Sequence, residues 1–218
     1  MRRICVLVTA AWLTGTVGAD DPRTFRFSKD AAGKVPAGWK VEQTGKGKGS
    51  VWQVMADATA PSKSGYVLAQ TAASPTAMFN LCVLQDTSAK DVEVTVHFKA
   101  IKGDADQGGG IVWRYQDAGN YYVARFNPLE DNYRLYKVVD GKRIQIAGKE
   151  KIKVPAGEWH TLKIKHVGTK IECYLDGKMI FDGTDDAIAQ AGKIGLWTKA
   201  DAYTYFDNLV VEVIARKE

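Results

Sequence analysis

The 218 residues carry 30 Lys and Arg against 25 Asp and Glu, a formal net charge of +5, with 45% hydrophobic and 25% charged residues. Those proportions suit a soluble globular chain of one domain, or at most two. The positive surplus is weak and its lysines are scattered, which argues against a nucleic-acid-binding stripe.

The chain opens with Met1-Arg2-Arg3, an apolar run from Ile4 to Leu13, and small residues ending Val17-Gly18-Ala19. A basic start, about ten apolar residues and a small-x-small site predict a secretory signal peptide over residues 1–19. Residues 20–218 are then one mature domain, secreted or periplasmic. The apolar run is too short to span a bilayer, which takes about 20 residues. Cys5 lies inside it rather than at the cleavage site, so no lipoprotein anchor is expected. Removing Arg2 and Arg3 takes the 30 basic residues to 28, against 25 acidic.

Beyond the signal the chain reads as short strands. Phe25-Arg26-Phe27, Lys40-Val41-Glu42, Val51 to Val54, Tyr66 to Gln70 and Met78 to Leu84 are separated by Gly- and Pro-containing loops. Gly45 to Ser50 resembles a phosphate loop only in composition, since it lacks the G-x-x-x-x-G-K-[ST] pattern. Asp91 to Phe98 alternates cleanly, with Val92, Val94, Val96 and Phe98 on one side and Glu93, Thr95 and His97 on the other. A meander follows from Gly108 to Lys149. Trp159 to Val167, a hairpin around Asp176-Gly177, Lys193 to Trp197 and Tyr205 to Val213 complete the chain. No segment predicts an amphipathic helix of twelve or more residues. Some twelve to fourteen short strands in one domain imply an all-β fold, a two-sheet antiparallel jelly-roll sandwich with its first and last strands close together.

Cys82 and Cys173 remain after cleavage. In an oxidising compartment they are able to form one bridge, and as two separate thiols they would be small core hydrophobes. Both readings stay open. No Cys/His spacing matches a zinc site.

Several runs carry a resemblance: Asp106-Gln107-Gly108-Gly109-Gly110-Ile111-Val112-Trp113-Arg114, Asn120-Tyr121-Tyr122, Gly157-Glu158-Trp159-His160, Tyr174-Leu175-Asp176-Gly177-Lys178, and Gly195-Leu196-Trp197 followed by Tyr205-Phe206-Asp207-Asn208. Together they resemble the concanavalin A-like lectin/glucanase superfamily. More narrowly, they resemble the secreted bacterial laminin G-like proteins grouped with 3-keto-disaccharide hydrolase domains, relatives of family 16 glycoside hydrolases. The likeness runs from about Phe25 to Val213. The E-x-D-x-x-E strand of family 16 is absent, and Asp106 to Gly110 stands where the family's lyases and hydrolases carry Gly-Asn-Ser-Gly. The resemblance also implies a structural Ca²⁺ held by Asp207 on the last strand. The plainer alternative is that Asp207 accepts backbone N–H bonds at a strand end.

A jelly roll binds along its concave sheet. With Ile111, Trp113 and Tyr115 facing the core, Val112 and Arg114 would face the groove. With Tyr133 and Leu135 inward, Arg134 and Tyr136 would face outward. Sugars call for planar bidentate polar groups and an aromatic platform. Arg114, Arg125, Asn127, Glu130, Asn132 and Arg134 would supply the first, with Trp197 as platform and Lys199 or Asp201 beside it. The competing reading pairs the arginines with Glu130 and Asp131 and buries Trp197 in the core. The expectation is a carbohydrate-binding domain. An alternative is a hydrolase or lyase acting on 3-keto-glycosides with His97, Glu93 or Asp106 as acid or base. A third is a laminin G-type module with a protein partner.

Overall fold

The computed structural model describes residues 21–215. The signal-peptide reading of residues 1–19 lies outside them. Fifteen strands run in chain order: β1 Arg23–Phe25, β2 Trp39–Thr44, β3 Trp52–Ala56, β4 Tyr66–Gln70, β5 Phe79–Leu84, β6 Val92–Lys102, β7 Gly109–Asp117 and β8 Asn120–Asn127. Then come β9 Asn132–Val139, β10 Lys142–Glu150, β11 His160–Val167, β12 Lys170–Leu175, β13 Lys178–Thr184, β14 Lys193–Lys199 and β15 Tyr203–Val213. One 3₁₀ turn, Lys29–Ala31, interrupts them. No helix among the described residues is long and apolar enough to cross a membrane.

Two antiparallel sheets make the expected sandwich. Sheet A has the order β13-β12-β11-β6-β15-β4-β3, and β1 pairs with β15 beside β4. First and last strands therefore meet, Arg23 to Phe25 lying against Leu209 to Val211. Sheet B has the order β10-β9-β8-β7-β14-β5-β2. Alternation decides which side chains enter the space between them. Val92, Val94, Val96 and Phe98 of β6 face Ile111, Trp113, Ala124 and Phe126 across one contiguous core. Burying each large apolar side chain contributes about 1.5–3 kcal/mol. Cys82 on sheet B and Cys173 on sheet A are both free and buried in this core, so the reading as separate thiols holds.

The outer face of sheet B carries a second buried cluster, including Phe79, Leu81, Val112, Tyr121, Val123, Tyr136 and Trp197. It exists because the sheet curls toward that side. β10 and β5 are five strands apart, ~24 Å in a flat sheet, yet the Arg143 guanidinium lies 5.1 Å from the Phe79 ring centre. Thr44 at the end of β2 reaches the β7–β8 turn, donating to the Ala118 carbonyl at 2.5 Å and accepting from the Tyr121 hydroxyl at 2.8 Å. This is the concave face, and its diagonal corners touch.

Candidate functional site

Beside the enclosed aromatic cluster, the ends of β7, β8, β9 and β14 bring together a polar network. Asn127 begins it. Its side-chain carbonyl accepts the N–H groups of Leu129 and Glu130 at 2.9 and 3.3 Å, shaping the β8–β9 turn, and its amide donates to Asp106 at 3.2 Å. Arg125 donates to Asn132 at 2.9 Å and to Glu130 at 2.7 Å, and Asn132 donates to the same Glu130 oxygen at 3.0 Å. Lys199 reaches Asp106 at 3.2 Å. Arg134, next to Arg125 across the β8–β9 ladder, binds Glu150 at 2.6 Å.

Two glycines give the arginines room to lie flat. A Cβ on Gly110 would come within 2.8 Å of the Arg125 Cβ, and one on Gly148 within 2.8 Å of the Arg134 Cδ. Arg125, Asn127, Asp106 and Asn132 form the buried floor, while Glu130 is exposed and Arg134 and Lys199 are half-buried above it.

Charge balance follows from burial. Asp106 is 1% exposed, and burial raises its pKa even though the Arg125 and Lys199 charges pull it down. Burial also works against ionised Glu130, but its Arg125 hydrogen bond and charge win and its pKa falls. For Arg125, burial opposes the charged form, and the Asp106 charge leads the interactions that raise its pKa overall. The floor thus holds one carboxyl group whose pKa is raised by burial, and a second stands at the rim whose pKa is lowered by Arg125.

Of the residues singled out in the sequence, Arg125, Asn127, Glu130, Asn132, Arg134 and Lys199 stand together here. Four other expectations need correction. Arg114 does not face the groove. β7 bulges after Trp113, with Arg114 at φ 45°, and its guanidinium donates to the carbonyls of Lys90, Ile188 and Gly168 at 2.8, 2.9 and 3.0 Å. Asp91 adds a contact at 3.5 Å. The same bulge turns Tyr115 out of the core into the concave-face cluster. Trp197 does lie on the concave face but is 0% exposed, packed 5.3 Å from Phe79 under Arg143, so it offers no free platform. Asp201 is a clamp: its carboxylate accepts the N–H groups of Asp104, Ala105 and Asp106, which fixes the loop that carries Asp106.

The acid/base candidates divide between two surfaces. Glu93 and His97 lie on the outer face of sheet A, across the core from Asp106, because the valines between them fill the interior. Glu93 is 3.3 Å from Lys163. His97 stands opposite Asp207 in the β6–β15 ladder, and burial lowers its pKa. They cannot act together with Asp106. Asp207 accepts the Ser62 N–H at 2.8 Å, as the plainer reading has it, but from within β15 at its bulge rather than at a strand end, and its other oxygen has no protein partner. No group of three or more His, Cys, Asp or Glu side chains stands ready for a metal among the described residues. For a structural Ca²⁺, which takes six to eight oxygens, Asp207 supplies one.

Sequence reasoning missed Arg143 and Phe79 as parts of this surface. Arg143 shares the alternation phase of Val138, its ladder partner, and that phase would have placed it on the concave face.

Comparison with known proteins agrees with this architecture. The chain superimposes on the carbohydrate-binding module CBM66 from Bacillus subtilis with a TM-score of 0.62 at 21% identity, covering 80% of this chain and 95% of the other. The Bacillus licheniformis beta-glucanase gives 0.60 at 14% identity, covering 92% and 100%. The exoplasmic/lumenal domain of VIP36, in a form bound to Ca²⁺ and Man3GlcNAc, gives 0.58 at 10% identity, covering 83% and 86%. At these identities the likeness is one of fold, the concanavalin A-like jelly roll. No curated protein matches the sequence. The family model described as a 3-keto-alpha-glucoside-1,2-lyase-like domain matches residues 27–212. Spanning nearly all of the described sandwich, that match assigns the chain: it belongs to the family of 3-keto-alpha-glucoside-1,2-lyase-like domains.

Proposed function

We propose that this is an exported carbohydrate-binding jelly roll that takes a glycan on the open part of its concave face. The observation that carries the reading is the set Glu130, Arg134 and Lys199, presented over the buried Arg125–Asn132–Asp106 floor. Fixed guanidinium, ammonium and carboxylate groups satisfy hydroxyls that both donate and accept. Their order is set beforehand by the network beneath, which lowers the cost of binding. The kinship with carbohydrate-active folds supports the same class of ligand. A glycan array followed by calorimetry tests it. Arg134→Ala and Lys199→Ala should each weaken the best ligand about tenfold, the loss of one charge-assisted hydrogen bond. A wild-type chain that binds no glycan would refute the proposal.

One observation favours a second reading, catalysis on the same face. Asp106 is a buried carboxyl of raised pKa held against an ammonium group, the kind of group that moves protons at an active site. In a 3-keto-glucoside the C2 hydrogen lies beside the ketone. A base that removes it leaves the C–H electron pair to form the C1–C2 double bond, as the C1–oxygen bond breaks and the leaving alcohol takes up a proton. Asp106 would hold the proton at one end of that sequence, and Lys199 would steady the enolate charge. Release of alcohol from a 3-keto-α-glucoside, abolished in Asp106→Asn, would promote this reading; no turnover by the wild type would remove it.

A further inference from the structure

The four ion pairs of the concave face leave one arginine out. Lys40 pairs with Glu42, Arg125 with Glu130, Arg134 with Glu150 and Lys199 with Asp106. Arg143, opposite Val138 on the edge strand β10, has no side-chain hydrogen bond and no carboxylate partner among the described residues. It is nonetheless held. Its guanidinium carbon lies 4.4 Å from the Tyr136 ring centre, 5.1 Å from Phe79 and 6.0 Å from Trp197.

Attraction to ring faces uses no hydrogen-bond acceptor, so the three rings hold the guanidinium without satisfying its N–H groups. Nη1 is buried and has no acceptor. A guanidinium only donates. The local deficit is therefore one of acceptors, and it sits beside a fixed positive charge. A carboxylate presents the matching planar pair of acceptors. The loop leaving β2 adds exposed Lys46 and Lys48 just past the Thr44–Phe79 pair, which favours approach of an anionic chain.

We infer that Arg143 is a carboxylate-binding residue and that the glycan taken by the concave face is acidic, bearing uronate units. This rests on the concave-face reading above and narrows its ligand. Arg143 contributes specificity by a fixed charge whose donors have no partner in the chain, and the aromatic cluster beneath serves to hold it rather than to stack a sugar.

Calorimetry on the full chain tests the inference with oligogalacturonate, oligomannuronate and glucuronoxylan, with the methyl ester of the first, and with dextran sulfate. An acidic oligomer should bind at least tenfold more tightly than its methyl ester. Arg143→Gln should weaken the acid far more than the ester and so remove most of that preference; Arg143→Lys, which keeps the charge without the planar group, should restore only part of it. Thermal melting of both variants checks that they fold. Equal affinity for acid and ester, a preference that survives Arg143→Gln, full recovery in Arg143→Lys, or dextran sulfate binding as tightly as the uronates would each overturn the inference. Binding of neutral glycans without acid preference defeats this inference alone, whereas binding of no glycan at all defeats the concave-face reading too.

Discussion

Asp106 and Lys199 lie 93 positions apart in the chain and meet at 3.2 Å on the concave face, and a third residue holds them together. Asp201, two residues after Lys199, accepts three successive N–H groups ending at that of Asp106. One turn between β14 and β15 thus supplies both the cation and the clamp that delivers its carboxyl partner. Burial pushes the pKa of both carboxyl groups up, yet the net shifts of Asp106 and Asp201 are opposite.

For Asp201, burial would raise the pKa, and the three backbone donors outweigh it, so the folded value is depressed. Its stabilisation is present above the unfolded value of about 3.9 and is lost as the pH falls through the lower folded one. Asp201→Asn should cost about 1 kcal/mol near neutrality, reduced from the charge-assisted range because the group is partly exposed. Urea unfolding at pH 7 and pH 3 should show that cost at the first and little of it at the second.

Asp106 should behave in the reverse sense. Its folded pKa is raised by burial, so the stability tied to its protonated form is complete below the unfolded value and is lost as pH rises through the folded one. Asparagine mimics the protonated form. The stability of Asp106→Asn relative to wild type should therefore improve from pH 3 to pH 7 in the same urea experiment. A difference that moves the other way would mean that Lys199 and Arg125 outweigh burial.

Much of this was legible in the sequence, and what escaped has a physical cause. Strict alternation put Val92, Val94, Val96 and Phe98 inside and Glu93 and His97 outside, as found. It also put Tyr133 and Leu135 inward and Arg134 and Tyr136 outward. It failed at Arg114 and Tyr115, where a bulge shifts the phase by an amount no local pattern announces. The binding reading put Trp197 on the right face but as an exposed platform, and its burial depends on how far sheet B curls. That curvature is set by contacts such as Thr44 with Tyr121, between strands four apart in the sheet.

His166 makes the core sensitive to acid. Its Nδ1 accepts the indole N–H of Trp113 at 2.9 Å, so the neutral ring carries its hydrogen on Nε2. Burial, helped by the nearby Arg114 charge, pushes its pKa down to about 4. Protonation would set two N–H groups against each other. For a base with a depressed pKa, stability is complete above the unfolded value of about 6.5 and declines as pH falls toward 4. The loss should reach up to about 3 kcal/mol over that interval, at 1.36 kcal/mol per unit. In His166→Gln, whose side-chain oxygen keeps an acceptor for Trp113, the slope of stability against pH between 4 and 6.5 should flatten by that amount.

Arg114 and Arg134, twenty residues apart on the same sheet, should separate stability from binding. Arg114 is 1% exposed and ties β7 to three backbone carbonyls and to Asp91. Arg114→Met leaves those acceptors and a buried carboxylate without their cation, and a loss of about 3–5 kcal/mol is expected in denaturant unfolding. Glycan affinity should be unchanged in the folded fraction. Arg134 pairs with Glu150, which is largely exposed, and such pairs are worth about 0–1 kcal/mol. Arg134→Ala should therefore melt almost as wild type while losing about tenfold in glycan affinity. If Arg114→Met weakened binding without destabilising the fold, Arg114 would belong to the site after all, and the bulge at β7 would have to open toward the concave face in solution.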